Sequence, residues 1–174
     1  GPGYSDASLT FIQANYGDPK NYVAYVAIAP YFATADDTTT GSLAALFPAL
    51  STNITGMTST MTDFATLGKQ YGIPMAAYEG GQSITGNTNL GVKHVAQYDK
   101  RMHDTYVQSL DWWKQSFGES LFMHFSLAGD LGLPENIYQY GFWGSIASTL
   151  VDPTKCGQGL MMLGGNEDPK TLTG

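Results

Sequence analysis

Ile73-Pro74-Met75-Ala76-Ala77-Tyr78-Glu79-Gly80-Gly81-Gln82 is the stretch on which the reading of this chain turns. From Ile73 to Tyr78 it is a nearly continuous apolar run, with no alternation of polar and apolar positions. A strand open to water on one face alternates; a strand covered on both faces, as in a parallel sheet flanked by helices, does not. The run ends on a carboxylate followed at once by two glycines. A carboxylate at the mouth of a buried strand is costly to keep for packing alone, and glycines let the backbone turn sharply beside it. Two readings stand at this point: Glu79 is a functional carboxylate, or it is the exposed residue of a tight turn.

Working outward, residues 22–30 (YVAYVAIAP) and 120–127 (SLFMHFSL) are apolar runs of the same kind. Between them lie helical stripes. Ile54, Met57, Met61, Phe64, Leu67 and Tyr71 recur at intervals of three or four, and Gly72 ends them. Val95, Tyr98, Met102, Tyr106, Leu110, Trp113 and Phe117 form a longer stripe stopped by Gly118, with Trp113 expected on the sheet. Ser5-Asp6 reads as the start of a helix over 7–14, and residues 140–150 as a last helix. The expected order is α-β-α-β-α-β-α, an α/β fold with right-handed crossovers. The connections are lopsided: 31–41, 80–92 and 128–141 are long and polar or Gly-rich, whereas the returns at Gly72 and Gly118-Glu119 are short. Long loops at the carboxyl ends of parallel strands are how α/β proteins build a ligand site on one face, and Glu79 lies on that face.

Bulk properties narrow the chemistry. The 174 residues suffice for one domain, with a Gly/Asp/Pro-rich tail or linker over 152–174. Hydrophobic residues make up 43% but charged ones only 13%, with eight Lys+Arg against fifteen Asp+Glu and a net charge of -7. Phosphate binding needs a basic face, so nucleic acid and anionic membrane are excluded as expected partners. A hydroxyl-rich, aromatic-rich composition suits an extracellular, secreted protein that handles uncharged polar ligands. No apolar run reaches the roughly 18 residues of a membrane span, and no signal-peptide pattern is visible. Gly1-Pro2-Gly3 fits a cloning remnant. Asn53-Ile54-Thr55 is a glycosylation sequon, with meaning in a eukaryotic secreted protein.

Most reactive constellations are missing. Cys156 is alone, and His94, His103 and His124 show no metal-ligand spacing. Asp36-Asp37 and Asp130 are oxygen donors, but loop acids are ordinarily solvated, so no metal is expected. Gly80-Gly81 and Gly164-Gly165 lack a phosphate-loop context, and no GxSxG is present. Carbohydrate chemistry fits better: it needs carboxylates, aromatic platforms, and amides or hydroxyls for sugar edges, with no cofactor. The loop face offers Tyr31, Phe32, Gln82, Asn87, His124, Asp130 and Trp143 around Glu79. Each has an alternative: His124 as a satisfied core residue within a strand, and Trp143 as helix packing.

The runs Ala29-Pro30-Tyr31-Phe32, Ala77-Tyr78-Glu79-Gly80-Gly81-Gln82, Phe122-Met123-His124-Phe125 and Tyr140-Gly141-Phe142-Trp143-Gly144 are short. Together, over about residues 5–150, they resemble the last three βα units of a (β/α)8 TIM barrel in the clan of retaining glycoside hydrolases. That clan includes cellulases and related β-glycanases, and the likeness extends to secreted proteins described as cellulose-binding. The resemblance implies that residues 1–151 are the C-terminal βα units of a catalytic domain. It makes Glu79 the nucleophile at the end of the seventh strand, with Tyr31 of the sixth strand donating a hydrogen bond that aims it. Gln82, His124, Asp130 and Trp143 would bind sugar, Trp143 as the floor of a subsite. One departure stands out. The clan's acid/base is a Glu, usually preceded by Asn, at the end of the fourth strand. The glutamates here are Glu79, Glu119, Glu135 and Glu167, and Asn166-Glu167 lies in the Gly-rich tail. Three strands cannot close a barrel. The expectation is therefore an incomplete glycosidase, completed by a missing N-terminal barrel half or by self-association. The alternatives are a non-catalytic carbohydrate-binding protein and a plain α/β protein in which Glu79 is structural.

Overall fold

In a computed structural model of the chain, residues 1–33, 41–86 and 88–126 are described. The expected helix at 140–150 and the tail at 152–174 lie outside them. The class is α/β. Strand β1 (Val26–Ile28) pairs in parallel with β3 (Met75–Ala77), Val26 opposite Met75 and Ile28 opposite Ala77. On its other side Ala77 makes a parallel bridge to Phe122: Ala77 N–H donates to Leu121 O (2.9 Å), and Met123 N–H donates to Ala77 O (3.0 Å). The three apolar runs thus lie side by side in chain order, with β3 in the middle. One step further along, β2 (Tyr31–Phe32) pairs in parallel with β4 (Gly81–Gln82), Tyr31 opposite Gly81.

Burial on both faces holds for the middle strand alone. All three residues of β3 are buried, but Ala27 of β1 is exposed. Leu121 and Met123, alternate residues of the third run, are 53% and 46% exposed. Helices cover one side of the flanking strands, and their alternate residues point away from that cover.

The helices differ from expectation in ways that local chemistry explains. Helix α1 (Pro2–Tyr16) begins before Ser5-Asp6, because Pro2 brings a pre-set φ to a first turn that needs no N–H partner. Asp6 has another use: its carboxylate accepts from the Tyr71 hydroxyl (3.0 Å), which, with buried Leu9, ties α1 to α3. Helix α2 (Leu43–Gly56) was not anticipated. Ser42 caps it, Oγ accepting from Ala45 N–H (3.2 Å), and it carries Pro48 in its interior. The lost backbone bond is offset by burial of Leu46, Phe47, Leu50 and Ile54, each such side chain contributing about 1.5–3 kcal/mol.

The stripe from Ile54 to Tyr71 is two helices, α2 and α3 (Thr58–Tyr71), meeting at Met57. Met61, Phe64, Leu67 and Tyr71 are buried as expected, and Gly72 ends α3 at φ 64, a left-handed cap that glycine adopts without penalty. The stripe from Val95 to Phe117 is likewise divided, into α4 (Leu90–Ala96) and α5 (Lys100–Phe117). Asp99 makes the break: it is extended, and its carboxylate accepts from Arg101 N–H (2.9 Å), satisfying an end of α5. Val95 and Tyr98 are consequently exposed, while Met102, Tyr106 and Trp113 are buried. Trp113 packs edge-on against Phe122 (5.3 Å between centroids), which seats α5 on the sheet.

Candidate functional site at the strand ends

The junction between β3 and β4 positions Glu79. Backbone bonds hold it on both sides: Tyr78 N–H donates to Ile28 O (3.1 Å), and Phe125 N–H donates to Gly80 O (2.9 Å). The two glycines have distinct reasons to be glycine. A Cβ on Gly80 would lie 2.8 Å from Phe122 Cζ and 3.3 Å from Pro30 Cδ. Gly81 has φ 132, and a Cβ there would lie 2.9 Å from His124 Nδ1 and 3.2 Å from the Tyr106 hydroxyl. Close approach at one and backbone conformation at the other let neighbouring strand ends converge on Glu79.

That convergence brings Tyr31, Glu79 and His124 to one edge of the sheet. Glu79 and Tyr31 are half-buried. Burial pushes the Tyr31 phenol up, and the Glu79 carboxylate, as neighbouring charge and hydrogen-bond acceptor, pushes it further, to about 12. At any ordinary pH Tyr31 is therefore a neutral donor facing Glu79. On the other side of the junction, burial pulls His124 below its usual range, so the ring is held neutral. The main-chain groups of Gly80 and Ser126 oppose this, yet neither ring nitrogen, both of them buried, has a hydrogen bond of full geometry. His124 is thus not the satisfied core histidine that its place in an apolar run allows.

Gln82 is fully buried. Its Oε1 accepts from Ile84 N–H (2.9 Å) and its Nε2 donates to Gln97 Oε1 (3.3 Å), so its amide supports the loop from within. Asp130 and Trp143, along with Asn87, lie outside the described residues. Tyr106 was legible only as a core position of the α5 stripe, but its hydroxyl reaches the site. It accepts from Gln82 N–H (3.2 Å), and its ring packs edge-on between Phe32 (5.2 Å) and His124 (5.3 Å). Burial drives its phenol well up, and the nearby Tyr31 adds to that. Lys93 and Gln97 are also buried beside this loop, where no sequence signal placed them, since lysine and glutamine are ordinarily surface residues.

Other concavities lie away from this edge. A groove of about 540 Å³ at the opposite ends of the strands is lined by Tyr25, Pro74, Glu119 and Leu121 among others. A second, of about 440 Å³ between α2 and α5, borders Trp112, Asp104 and Asp111. Neither borders Glu79. Among the described residues no group of three or more His, Cys, Asp or Glu could hold a metal, and no helix is long and apolar enough to cross a membrane. The arrangement can present one carboxylate and a tyrosine donor to an uncharged polar ligand, with the His124 imidazole packed against the junction and its nitrogens buried. Compared with protein-family models, curated proteins and solved structures, the chain matches none.

Proposed function

We propose that this chain is the C-terminal part of a secreted (β/α)8-type retaining glycoside hydrolase acting on β-linked oligo- or polysaccharide, with Glu79 as nucleophile. The observation that carries the reading is the pairing of Glu79 with Tyr31 at the carboxyl ends of adjacent parallel strands. Strand ends of a parallel sheet are where such folds place their chemistry.

Glu79 attacks the anomeric carbon as the glycosidic bond breaks, and the leaving oxygen takes a proton from a second carboxyl group. Water, deprotonated by that same group, then releases the sugar from the glycosyl-enzyme. Tyr31 donates to Glu79 and keeps one carboxylate oxygen aimed. In this reading Asp130 and Trp143 bind sugar, while His124, its ring nitrogens buried, backs the junction at Gly81. In a retaining enzyme the two carboxyl groups stand about 5–5.5 Å apart. The acid/base belongs to chain outside these residues, on the remaining barrel wall or a second copy. Exposed Tyr25, just before β1, and Leu121 and Met123 beside β3 are the surface such a wall would cover.

One observation favours a second reading, a carbohydrate-binding protein without turnover. The described acids with resolved partners are occupied elsewhere: Asp6 by Tyr71, Asp18 by Lys20, Asp99 by Arg101, Asp104 by Lys100 and Glu119 by Lys114. The substitution Glu79→Gln in the whole protein separates the two. Turnover of β-glycosides vanishes while oligosaccharide binding persists if Glu79 is the nucleophile. Binding by the unaltered protein without hydrolysis favours the second reading.

A further inference from the structure

We infer that Lys93 is a positioning residue that locks the Glu79 junction and the loop after it, through a buried polar chain that includes Gln97 and Gln82. The inference rests on the reading of Glu79 above. Lys93 is 1% exposed, and Gln97 and Gln82 are 0% exposed. Lysine is almost never this buried unless its donors are met, and here they are aimed at backbone. Nζ donates to Thr85 O (2.8 Å) and Gly86 O (3.3 Å). Gly86 has φ 94, and a Cβ on it would lie 3.3 Å from that same Nζ, so the glycine both turns the loop and leaves room for the ammonium.

The chain continues toward the site. Lys93 O accepts from Gln97 Nε2 (3.0 Å), and Gln97 Oε1 accepts from Gln82 Nε2 (3.3 Å). Gln82 Oε1 takes the N–H of Ile84, and the Gln82 N–H is held by Tyr106. Ser83 N–H reaches Phe32 O (2.8 Å), which fastens the same segment to the strand of Tyr31. Three long polar side chains that could face water are directed inward, at residues 82–86, the segment directly after Glu79-Gly80-Gly81. Apolar side chains of similar volume would fill the space without selecting one orientation of the loop, whereas backbone-directed bonds select one. A nucleophile set at a strand end needs that support, because rate depends on sub-ångström placement.

The test uses Lys93→Met in the whole natural protein, with Gln97→Met as a second variant should the first fail to fold. Amide exchange across residues 79–86 is measured with α5 as internal reference, and kcat and KM are measured on cellopentaose. Exchange at 79–86 is expected to rise about tenfold or more while α5 changes little. The kcat should fall about tenfold with KM nearly constant, since placement rather than binding is lost. Unchanged exchange at 79–86, a rise shared equally by α5, or a loosened loop with unchanged kcat would each overturn the inference. If the unaltered protein cleaves neither cellopentaose nor other β-glycans, the glycosidase reading fails. The exchange measurement then still decides whether Lys93 locks the loop.

Discussion

Alanine at position 81 tests the geometry of the junction most sharply, because two separable penalties meet there. The first is backbone: φ 132 is a conformation that alanine adopts only under strain, costing about 1–3 kcal/mol. The second is crowding. The new methyl would sit 2.9 Å from His124 Nδ1 and 3.0 Å from its Cε1, and the His124 ring already has Tyr106 against it at 5.3 Å. Forcing a methyl into such a contact costs about 1–3 kcal/mol. Gly81→Ala should therefore lose about 2–6 kcal/mol, a large part of the roughly 5–15 kcal/mol that holds a domain together. At about 2–4 °C per kcal/mol for a chain of this size, Tm falls by about 4–24 °C. Two neighbours isolate the parts. Gly17→Ala carries strain without crowding, with φ 95 and nothing within 4 Å of the added methyl; Gly80→Ala carries the 2.8 Å contact with Phe122 without a positive φ. Urea titration of the three should place Gly81→Ala near the sum of the other two. A Gly81→Ala protein no less stable than Gly17→Ala refutes the close approach of His124 to the junction.

Three further outcomes follow from the same structure. Tyr31 is raised from 10.0 to about 12 in the folded state, so its contribution is complete below pH 10 and is lost as pH rises toward 12. Tyr106 shifts in the same direction, and Tyr31→Phe or Tyr106→Phe should flatten the alkaline limb of a stability–pH curve. Asp99→Ala removes the cap of α5 and should cost about 1 kcal/mol in urea titration. Because Arg101 holds the Asp99 carboxyl low, the difference from the unaltered protein should shrink as pH falls below the ordinary carboxylate range. Leu50→Ala in α2, at a position with no exposure, should cost about 2–5 kcal/mol, against near-neutral change at exposed Val95.

What was legible in the sequence was the part governed by strong local signals. The apolar runs around Val26, Met75 and Phe122 gave a parallel α/β arrangement, and Gly72 and Gly118 ended helices as read. Glu79 stands at the mouth of the middle strand, with Tyr31 on one side and His124 on the other. The rest was hidden by competition between signals. Pro48 masked α2, because a proline in a helix interior reads as a break unless the burial of Leu46 and Leu50 is known. Asp99 cut an apparently continuous stripe because its short carboxylate prefers to cap a helix rather than extend one. Helical spacing counted Val95 and Tyr98 into a buried face, but with α4 and α5 divided at Asp99 both are exposed. Of the site, the inward turn of Gln82 and the burial of Lys93 and Gln97 left no trace in composition or period. Those side chains look like surface residues until their backbone partners are located.

The central claim is that Glu79 forms a covalent bond to sugar. The most direct measurement is trapping: the whole protein is incubated with an activated 2-deoxy-2-fluoro-β-cellobioside, digested, and its peptides are weighed and fragmented. The account predicts a single fluoroglycosyl adduct on the peptide spanning Ala77-Tyr78-Glu79-Gly80-Gly81, located on Glu79 and absent from Glu79→Gln. An adduct on any other carboxylate, or undiminished turnover of β-glycosides by Glu79→Gln, would contradict it.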